Sequence, residues 1–464
     1  MIRLRQSHKP VSSPYKLNTT RASFRTGRAA LIQVPNLLKL REKRGGVFVR
    51  MLGSAVIAQA LLSAGNLGVG LILIRRTTDS DYGSYVLVLN ALMLLTQLQT
   101  QFIQPAMVAK MAGAAAAVRA NLIGRLYQAQ RRLLPPLALI AGASVLILWL
   151  CGVVTLSSGW IIIAAIAAGV AALHREFFRM VMLGYRLPLD ILKADTVYVV
   201  ALVGGATLAS LSAAPAVFTV LTLAAAAVVG GFLMSRALWR YEPWNTDGPP
   251  MLREIAAIGA WTTTGCAIYW TFTQGYNYVI FGALDVTAVA AVAATRLLMM
   301  PVNMLSTGVG SLMLPTTSGW LKQHGSRVIF VRLLLLSLGL SCVALCYFAV
   351  LWVLREWIFL DLLKKQIASR DALMERWFVI FILMIFRDQL LFLPLARGRY
   401  RILTGLTFLS AVVSLLVSYL AIVRLGVVGS LDGLLTGELI SVSGLVVLSV
   451  LEMRKDARTV PVPA

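Results

Sequence analysis

The chain has 464 residues, of which 58% are hydrophobic and only 13% are charged, and its mean hydropathy is +0.80. Soluble domains contain about 45 to 50% apolar and about 25% charged residues, so this composition excludes a soluble protein and indicates an integral membrane protein. The net charge of +24 would suggest nucleic-acid binding in a soluble protein, but the positions of the basic residues offer another explanation.

The first 46 residues are basic and contain no long apolar run, which predicts a disordered cytoplasmic tail. After the tail, apolar runs long enough to cross roughly 30 Å of hydrocarbon predict an all-α membrane protein with about 12 transmembrane helices. The predicted spans, in chain order, lie within 51–74, 84–102, 133–154, 159–174, 195–212, 215–235, 255–283, 286–314, 328–354, 377–396, 402–423 and 427–451.

The basic residues are distributed unequally between the two sides of this predicted topology. Residues 1–50 hold 12 Lys and Arg, and 33 of the 43 basic residues lie on the same side as that segment. Eight lie on the opposite side, and the other two, Arg296 and Arg387, lie inside predicted helices. By the positive-inside rule, this asymmetry predicts that both termini are cytoplasmic.

A polar segment with three prolines, residues 236–254, divides the predicted spans into six and six. We interpret it as a cytoplasmic linker between two six-helix lobes, residues 47–235 and 255–452, with a short cytoplasmic tail at 453–464. The lobes are weakly alike in hydropathy, which either reflects an internal repeat or arises by coincidence among apolar helices. Repeats of this kind often place a substrate site between two pseudosymmetric lobes that rock to give alternating access.

Four segments carry a resemblance to a known family: ILIRRTTDSDYGSYVLVLNAL at 72–92, FRMVMLGYR at 178–186, the stretch from Tyr278 through Arg296 to LPTTSGW, and LGVVGSLDGLLTGELI at 425–440. In this order and spacing they resemble the oligosaccharide flippases of O-antigen and exopolysaccharide synthesis, over about residues 50–452. Those flippases belong to the multidrug/oligosaccharidyl-lipid/polysaccharide exporter superfamily. The resemblance implies a bacterial inner-membrane transporter that moves a polyprenyl-pyrophosphate-linked oligosaccharide from the cytoplasmic to the periplasmic leaflet. It also implies a polysaccharide polymerase or other export machinery as a partner.

Arg296 lies about 11 residues from the outer start of its predicted span, which is roughly 16 Å at 1.5 Å per residue. An arginine at this depth costs at least about 2.5 kcal/mol against lipid, so it requires a polar cavity or a partner. A guanidinium binds two phosphate oxygens at once and stays charged, which suits a lipid pyrophosphate. The alternative is an internal ion pair with Asp388 or Glu438. In related peptidoglycan-precursor flippases, arginines of a central cavity are implicated in substrate binding, and the resemblance extends this role to Arg296.

Arg387 and Asp388 are adjacent in the tenth predicted span, where their side chains are expected to point about 100° apart. One of them then lines the cavity while the other pairs elsewhere, so Arg387 is a candidate substrate ligand. Asp388 and Glu438 are candidates either for coupling to H⁺ or Na⁺ or for neutralising an arginine. A close helix-packing face is predicted by three glycines at four-residue spacing in the twelfth span, Gly429, Gly433 and Gly437.

Neutral polar side chains within the spans offer hydrogen bonds either to sugar hydroxyls or to neighbouring helices. The candidate substrate-binding residues of this kind are Asn66, Asn90, Gln274 and Asn277. Arg179, at the inner face, is a candidate contact for the pyrophosphate on entry, or else only a topology signal. Aromatic residues that stack on sugar rings or form an interfacial belt crowd the seventh span, namely Trp261, Tyr269, Trp270, Tyr276 and Tyr278.

Three functions compete. The preferred one is a flippase driven by an ion gradient or the membrane potential, because the chain contains no G-x-x-x-x-G-K-[ST] phosphate loop. A cation-coupled multidrug exporter of the same superfamily would favour deep carboxylates in both halves, and we expect no well-buried acid in the first six helices. A membrane polysaccharide polymerase or glycosyltransferase would need a larger external loop than the sequence provides, so we expect no enzyme.

No catalytic residue, metal site or cofactor is expected, apart from a coupling H⁺ or Na⁺. The four cysteines fall within predicted spans without metal-binding spacing, and we interpret them as small buried hydrophobic residues. The expected partners are the lipid-linked oligosaccharide and membrane lipids, and not nucleic acid.

Overall fold

The computed structural model describes residues 37–459 except 112–113, 153–154, 245–251 and 322. Val49–Ala464 form one compact unit, to which the following refers. The regular elements of the described residues are 14 α-helices and one π-helical turn, Trp357–Leu362. The α-helices are α1 (Leu37–Arg76), α2 (Asp79–Met111), α3 (Ala116–Leu150), α4 (Leu156–Gly184), α5 (Pro188–Ala209), α6 (Pro215–Tyr241), α7 (Leu252–Ala283), α8 (Val286–Leu297), α9 (Met300–Leu321), α10 (Ser326–Glu356), α11 (Arg370–Leu390), α12 (Phe392–Ala396), α13 (Tyr400–Leu425) and α14 (Val427–Thr459).

Twelve segments take the places of the twelve predicted spans. Within the described residues, ten helices are long and apolar enough to cross a membrane, and α8 with α9 forms an eleventh, bent span. The remaining segment is α7, whose 32 residues extend for about 48 Å but include many polar side chains. Because twelve successive spans alternate in direction, the Val49 end of the α1 span and the end of the α14 span lie on one side of the bundle, here called the terminal side. The opposite side is called the distal side.

Several helices are longer than the apolar runs that predicted them. Residues 37–46, predicted as tail, are helical in α1, and both ends of the predicted linker 236–254 are helical in α6 and α7. α4 continues to Gly184, ten residues beyond its predicted end. Hydropathy detects only the part of a helix that lies in hydrocarbon, so these polar extensions were missed. Residues 1–36, 245–251 and 460–464 lie outside the described part of the chain.

The eighth predicted span, 286–314, is not one straight helix but two helices bent by 58°. Pro301 explains the bend, because proline lacks an N–H group and its ring clashes with the carbonyl four residues earlier. The carbonyl of Leu298 at the break accepts a hydrogen bond from Tyr347 Oη at 2.8 Å. On the distal side, Asp285 caps the start of α8 by accepting the Ala288 N–H at 2.7 Å.

The first half of the bundle, α1–α6, and the second half, α7–α14, share one hydrophobic core. Buried residues from both halves belong to it, among them Tyr85, Val289 and Trp377. α2 of the first half packs against both α7 and α8 of the second. The bent span is therefore held between the halves, which is where transporters with repeated lobes place a substrate.

The cysteines are not buried as predicted. Cys151, Cys342 and Cys346 are exposed on the surface of the protein, and Cys266 is half-buried. Lipid is about as apolar as a protein core, so a small apolar side chain has no need to face inward in a membrane helix. Among the described residues, no group of three or more His, Cys, Asp or Glu side chains is placed to hold a metal ion.

The glycines of α14 form a close packing face, as predicted. A Cβ atom on Gly429 would collide with the backbone of Ala421, and one on Gly433 would collide with Ser418 and the Ser414 carbonyl. The Ser418 hydroxyl also donates a hydrogen bond of 2.8 Å to the carbonyl of Ser430. Glycine thus allows α13 and α14 to approach until backbone and small side chains touch.

We expect Gly433→Ala to destabilise the protein, because an added methyl in a packed site costs about 1–3 kcal/mol. The matched control is Gly405→Ala on α13, where a Cβ atom meets no other atom within 4 Å. Thermal unfolding of the purified variants in detergent measures the difference. A Gly433→Ala protein that unfolds at the temperature of the control would contradict this interpretation of the interface.

Candidate functional site

Arg296 lies in the last turn of α8, immediately before the bend. Its Nη1 donates hydrogen bonds to Gln274 Oε1 at 2.6 Å and to Tyr276 Oη at 3.0 Å. Its guanidinium carbon also lies 5.5 Å from the centroid of the Trp377 ring and 5.9 Å from that of Tyr276. The C-terminal end of α8 favours a cation here, because the helix dipole is negative at that end.

The groups that contact Arg296 are all neutral. In the described part of the chain no carboxylate forms an ion pair with it, and the two acids considered as partners, Asp388 and Glu438, pair with Arg387 instead. The interpretation of Arg296 as a member of an internal ion pair is therefore wrong. The Gln274 side chain is itself contacted by Asn277, whose Nδ2 donates to Gln274 Oε1 at 3.4 Å and to the Gln274 backbone carbonyl at 3.2 Å. Three candidate residues, Arg296, Gln274 and Asn277, are thus brought together by α7 and α8.

Arg387 is buried in a second cluster, where two carboxylates surround it. Its Nη1 donates to Glu438 Oε1, and its Nη2 donates to Asp388 Oδ1 at 2.9 Å and to Tyr269 Oη at 3.4 Å. The adjacent charges Arg387 and Asp388 were predicted to face different partners, but the flexible arginine side chain folds back onto its neighbour. Asp388 also accepts a hydrogen bond of 3.4 Å from the Ser306 hydroxyl. In this arrangement the donors of Arg387 are engaged with protein groups, and both acids act as its counter-charges.

Asn66 and Arg179 line a cavity of about 340 Å³ between α1, α2 and α4. Arg179 is not free there, because its Nε lies 3.4 Å from Asp195 Oδ2 and its Nη1 lies 3.5 Å from Glu176 Oε1. Its Nη2 donates to Gln59 Oε1 at 3.3 Å. The cavity is rich in neutral hydrogen-bonding side chains, which besides Gln59 and Asn66 include Ser63, Thr96, Gln97, Thr100 and Gln104.

Asp195 is a buried acid that the sequence interpretation missed. It is fully buried in α5, forms an ion pair with Arg175, and contradicts the expectation that the first six helices hold no well-buried acid. Arg175 lies with its guanidinium carbon 3.8 Å from the centroid of the Tyr198 ring. The sequence did contain a sign of its burial. Asp195 lies seven residues after Pro188, the first residue of α5, and is therefore two turns inside the helix.

Asn90 is buried in α2, whose residues Leu89 and Leu92 line the 340 Å³ cavity. Asn90 itself is not part of the described lining of that cavity. Among the described residues, no hydrogen bond joins it to the cluster of Arg296 or to that of Arg387. Of the predicted site residues, Asn90 is therefore the one left apart from the others.

The two halves of the bundle touch on the distal side. Lys365, between the π-helical turn and α11, donates to Asp79 Oδ1 at 2.6 Å and to the Thr77 carbonyl at 2.9 Å. Nearby, Gly83 of α2 lies so close to the Val286 carbonyl that a Cβ atom would not fit. The 340 Å³ cavity, in contrast, is lined by the terminal half of α4. The halves are thus in contact on the distal side, where a cavity of about 330 Å³ lies beside Asp79 and Lys365, and the 340 Å³ cavity lies toward the terminal side.

Solved membrane transporters share this architecture. An inward-facing multidrug resistance MATE family transporter of the MOP superfamily is 12% identical over 88% of this chain and all of its own, with a TM-score of 0.69. The lipid II flippase MurJ in an inward closed conformation is 9% identical over 88% of this chain and 93% of its own, with a TM-score of 0.68. The eukaryotic MATE transporter AtDTX14 is 12% identical over 89% of this chain and 98% of its own, with a TM-score of 0.59. No protein-family model and no curated protein matches the sequence.

These similarities define the class of fold to which the chain conforms. The predicted all-α membrane fold is confirmed, since the described residues contain helices and no strand, with ten or eleven candidate membrane spans, and the fold is that of solved membrane transporters. The protein is thus a multi-pass membrane protein with the fold of MATE transporters and of MurJ.

We expect the buried pair of Arg387 and Glu438 to behave as a coupled unit. Arg387→Met removes the cation that pairs with the buried Glu438 carboxylate. Loss of one partner of a buried ion pair lowers the free energy of unfolding by about 3–5 kcal/mol. Adding Glu438→Gln should restore a large part of that stability, because the unpaired charge is removed. A double-mutant cycle on thermal or denaturant unfolding measures the coupling.

The matched control for this cycle is the exposed pair of Lys193 and Asp190, separated by 3.4 Å at the protein surface. Such pairs contribute about 0–1 kcal/mol, so Lys193→Met should change stability little. Strictly additive effects of Arg387→Met and Glu438→Gln would contradict the pairing seen in the structure.

Proposed function

We propose that the protein translocates a polyprenyl-pyrophosphate-linked oligosaccharide from the cytoplasmic to the periplasmic leaflet of a bacterial inner membrane, by alternating access. In this proposal the terminal side is cytoplasmic, as the positive-inside asymmetry predicts. An H⁺ or Na⁺ gradient or the membrane potential drives the movement. A polysaccharide polymerase or export machinery then receives the cargo.

The observation that carries the proposal is the environment of Arg296. The other arginines of the bundle interior described above, Arg175, Arg179 and Arg387, each form an ion pair with a carboxylate. Arg296 instead contacts an amide, a phenol and two aromatic rings. Its charge is therefore available to an anionic ligand without the loss of an existing ion pair. A pyrophosphate that crosses hydrocarbon needs such a counter-charge about halfway.

The 340 Å³ cavity supports the saccharide part of the proposal. Its amides and hydroxyls suit a ligand that presents many hydroxyl groups and no apolar end. The four charged groups around it, Arg175, Arg179, Glu176 and Asp195, balance to zero. The cavity thus offers hydrogen bonds without a net attraction for a cation.

The distal contacts support alternating access. The side chain of Asp79 is 54% exposed and that of Lys365 is 19% exposed, so water partly screens this ion pair, and exposed pairs contribute only about 0.2–1 kcal/mol. Breaking this ion pair alone costs little, while opening the distal side also separates the packed residues of the two halves. The described arrangement then corresponds to the state that is loaded from the cytoplasmic side.

The second candidate function is a cation-coupled multidrug exporter, and two of the similar structures are multidrug resistance MATE family transporters. Two observations favour it: Asp195 is a buried acid, and the Glu438 Oε2 atom is buried without a hydrogen-bond partner among the described residues. Both acids already face arginines, however, so a cationic drug would have to compete with an existing ion pair. This competition is why we favour the anionic cargo.

The test uses purified protein in vesicles that carry a labelled polyprenyl-pyrophosphate oligosaccharide, with the label read on the far side. We expect transfer by the wild type and a loss of about tenfold or more in Arg296→Ala, since hydrogen bonds to a charged group contribute about 1.5–3 kcal/mol. Arg296→Lys should be intermediate, because it keeps the charge but not the two-point geometry. The matched control is Arg424→Ala, an exposed arginine in the last turn of α13.

Undiminished transfer by folded Arg296→Ala would overturn the role given to Arg296. If the wild type transfers no more cargo than empty vesicles but extrudes a fluorescent lipophilic cation, the multidrug function replaces the flippase. These two failures are separate, because the second concerns the wild type alone.

A further inference from the structure

A groove of about 1080 Å³ lies between α7 and α13, beside the loop that follows α12. It is distinct from the 340 Å³ cavity, which belongs to α1, α2 and α4. Three large aromatic residues in its lining, Trp261, Tyr269 and Tyr400, are 56%, 48% and 57% exposed. Pockets of about 300–1,000 Å³ hold drug-sized molecules, so this groove has room for a larger ligand.

The lining combines aromatic faces with hydroxyl groups. The hydroxyl of Thr262 donates to the Gln101 carbonyl at 2.6 Å, and that of Thr404 donates to the Tyr400 carbonyl at 3.0 Å. Because their protons are engaged, the oxygens of these threonines remain as acceptors for hydroxyl donors of a ligand. Sugar rings present apolar faces together with hydroxyl edges, and a surface of this kind matches both. Four apolar residues also line the groove, namely Leu391, Leu395, Ile402 and Leu403.

The charges of the groove disfavour a cationic occupant. Its described lining contains two arginines, Arg399 and Arg401, and no carboxylate. Glu452, outside the lining, accepts a hydrogen bond from Arg399 Nε at 2.9 Å. The groove therefore keeps a positive character that suits neutral or acidic saccharides and repels cations.

The groove-lining residue Tyr269 lies on the same face of α7 as Tyr276, the buried residue that contacts Arg296. Thr262, Tyr269 and Tyr276 are seven residues apart, so they share a face of the helix. The last of them is the residue whose hydroxyl accepts a hydrogen bond from Arg296 at 3.0 Å. Tyr269 lies about 12 Å further along α7 than Trp261, which is too far for both to belong to one interfacial belt.

We propose that the groove between α7 and α13 binds the saccharide part of the cargo, with sugar rings stacked on Trp261 and Tyr269. This inference rests on the proposed function and adds, beside the 340 Å³ cavity, a second surface that binds the sugars of the cargo. Longer saccharides gain more from the groove than short ones, because more rings contact its floor.

The floor of the groove offers a direct test at Gly265, where an added Cβ atom meets no protein atom within 4 Å. Gly265→Leu therefore fills the groove without disturbing the packing. The matched control is Gly282→Leu on the same helix, which also points into open space but lies outside the groove lining. A second variant, Trp261→Ala, removes a stacking face that is already largely exposed.

Vesicle transport is compared for two cargoes with the same polyprenyl pyrophosphate, one with a single sugar and one with five. We expect Gly265→Leu to slow the five-sugar cargo by about tenfold or more, since a steric clash costs about 1–3 kcal/mol. The single-sugar cargo should change by less than about twofold, and Gly282→Leu should match the wild type for both. Trp261→Ala should slow the five-sugar cargo by about three- to tenfold.

Equal slowing of both cargoes by Gly265→Leu, or of neither, would overturn the saccharide assignment. A binding measurement that needs no transport distinguishes failure of this inference from failure of the proposed function. It is saturation-transfer NMR of the lipid-free pentasaccharide with detergent-purified protein. Binding that Gly265→Leu abolishes and Gly282→Leu retains supports the groove even if the wild type flips no lipid. Absence of binding to the wild type overturns it.

Discussion

The guanidinium of Arg296 on Gln274 and Tyr276 is the contact on which the rest of the bundle interior depends. A cation at this depth is tolerated only where polar groups replace water, and α7 supplies both acceptors from residues two positions apart. The bend after Arg296 follows from Pro301, and Tyr347 accommodates the bend by bonding the carbonyl of Leu298. The bend of the eighth span thus follows from Pro301, whereas the polar seventh helix supplies the hydrogen bonds that the buried charge needs.

The remaining interior charges are confined to closed clusters, one in each half of the bundle. Asp195 is neutralised by Arg175 and Arg179 in the first half, and Arg387 is surrounded by Glu438 and Asp388 in the second. A buried pair is costly to break and adds little net stability, so its value lies in fixing the helices that carry it. These clusters give each half a rigid centre, while the distal contact between halves through Lys365 is an exposed and weaker one.

The features of the fold that depend on local sequence could be predicted. Apolar runs gave the number and order of the spans, and the glycine spacing in α14 gave its packing face, because both depend on near neighbours in the chain. The isolated arginine at 296 also stood out in its apolar run. The bend was overlooked although Pro301 marks it, since hydropathy averages across a break without sensing it.

The partners of the charges could not be predicted, because they depend on helices far apart in sequence. Arg387 meets Glu438 across 51 residues, and Lys365 meets Asp79 across 286. Asp195 was missed because it lies near the end of a predicted span, where an acid is ordinarily exposed to water. The carboxylate partners of Arg387 and the neutral partners of Arg296 therefore emerge only when the helices are assembled.

The most direct measurement of the central claim is the preference of the purified protein for a charged lipid. Native mass spectrometry compares binding of a polyprenyl pyrophosphate with binding of the uncharged polyprenol of the same chain length, for the wild type and Arg296→Gln. We expect the wild type to prefer the pyrophosphate by about tenfold or more, and Arg296→Gln to lose most of that preference. An undiminished preference in Arg296→Gln would show that the pyrophosphate is recognised elsewhere and would contradict the central role of Arg296.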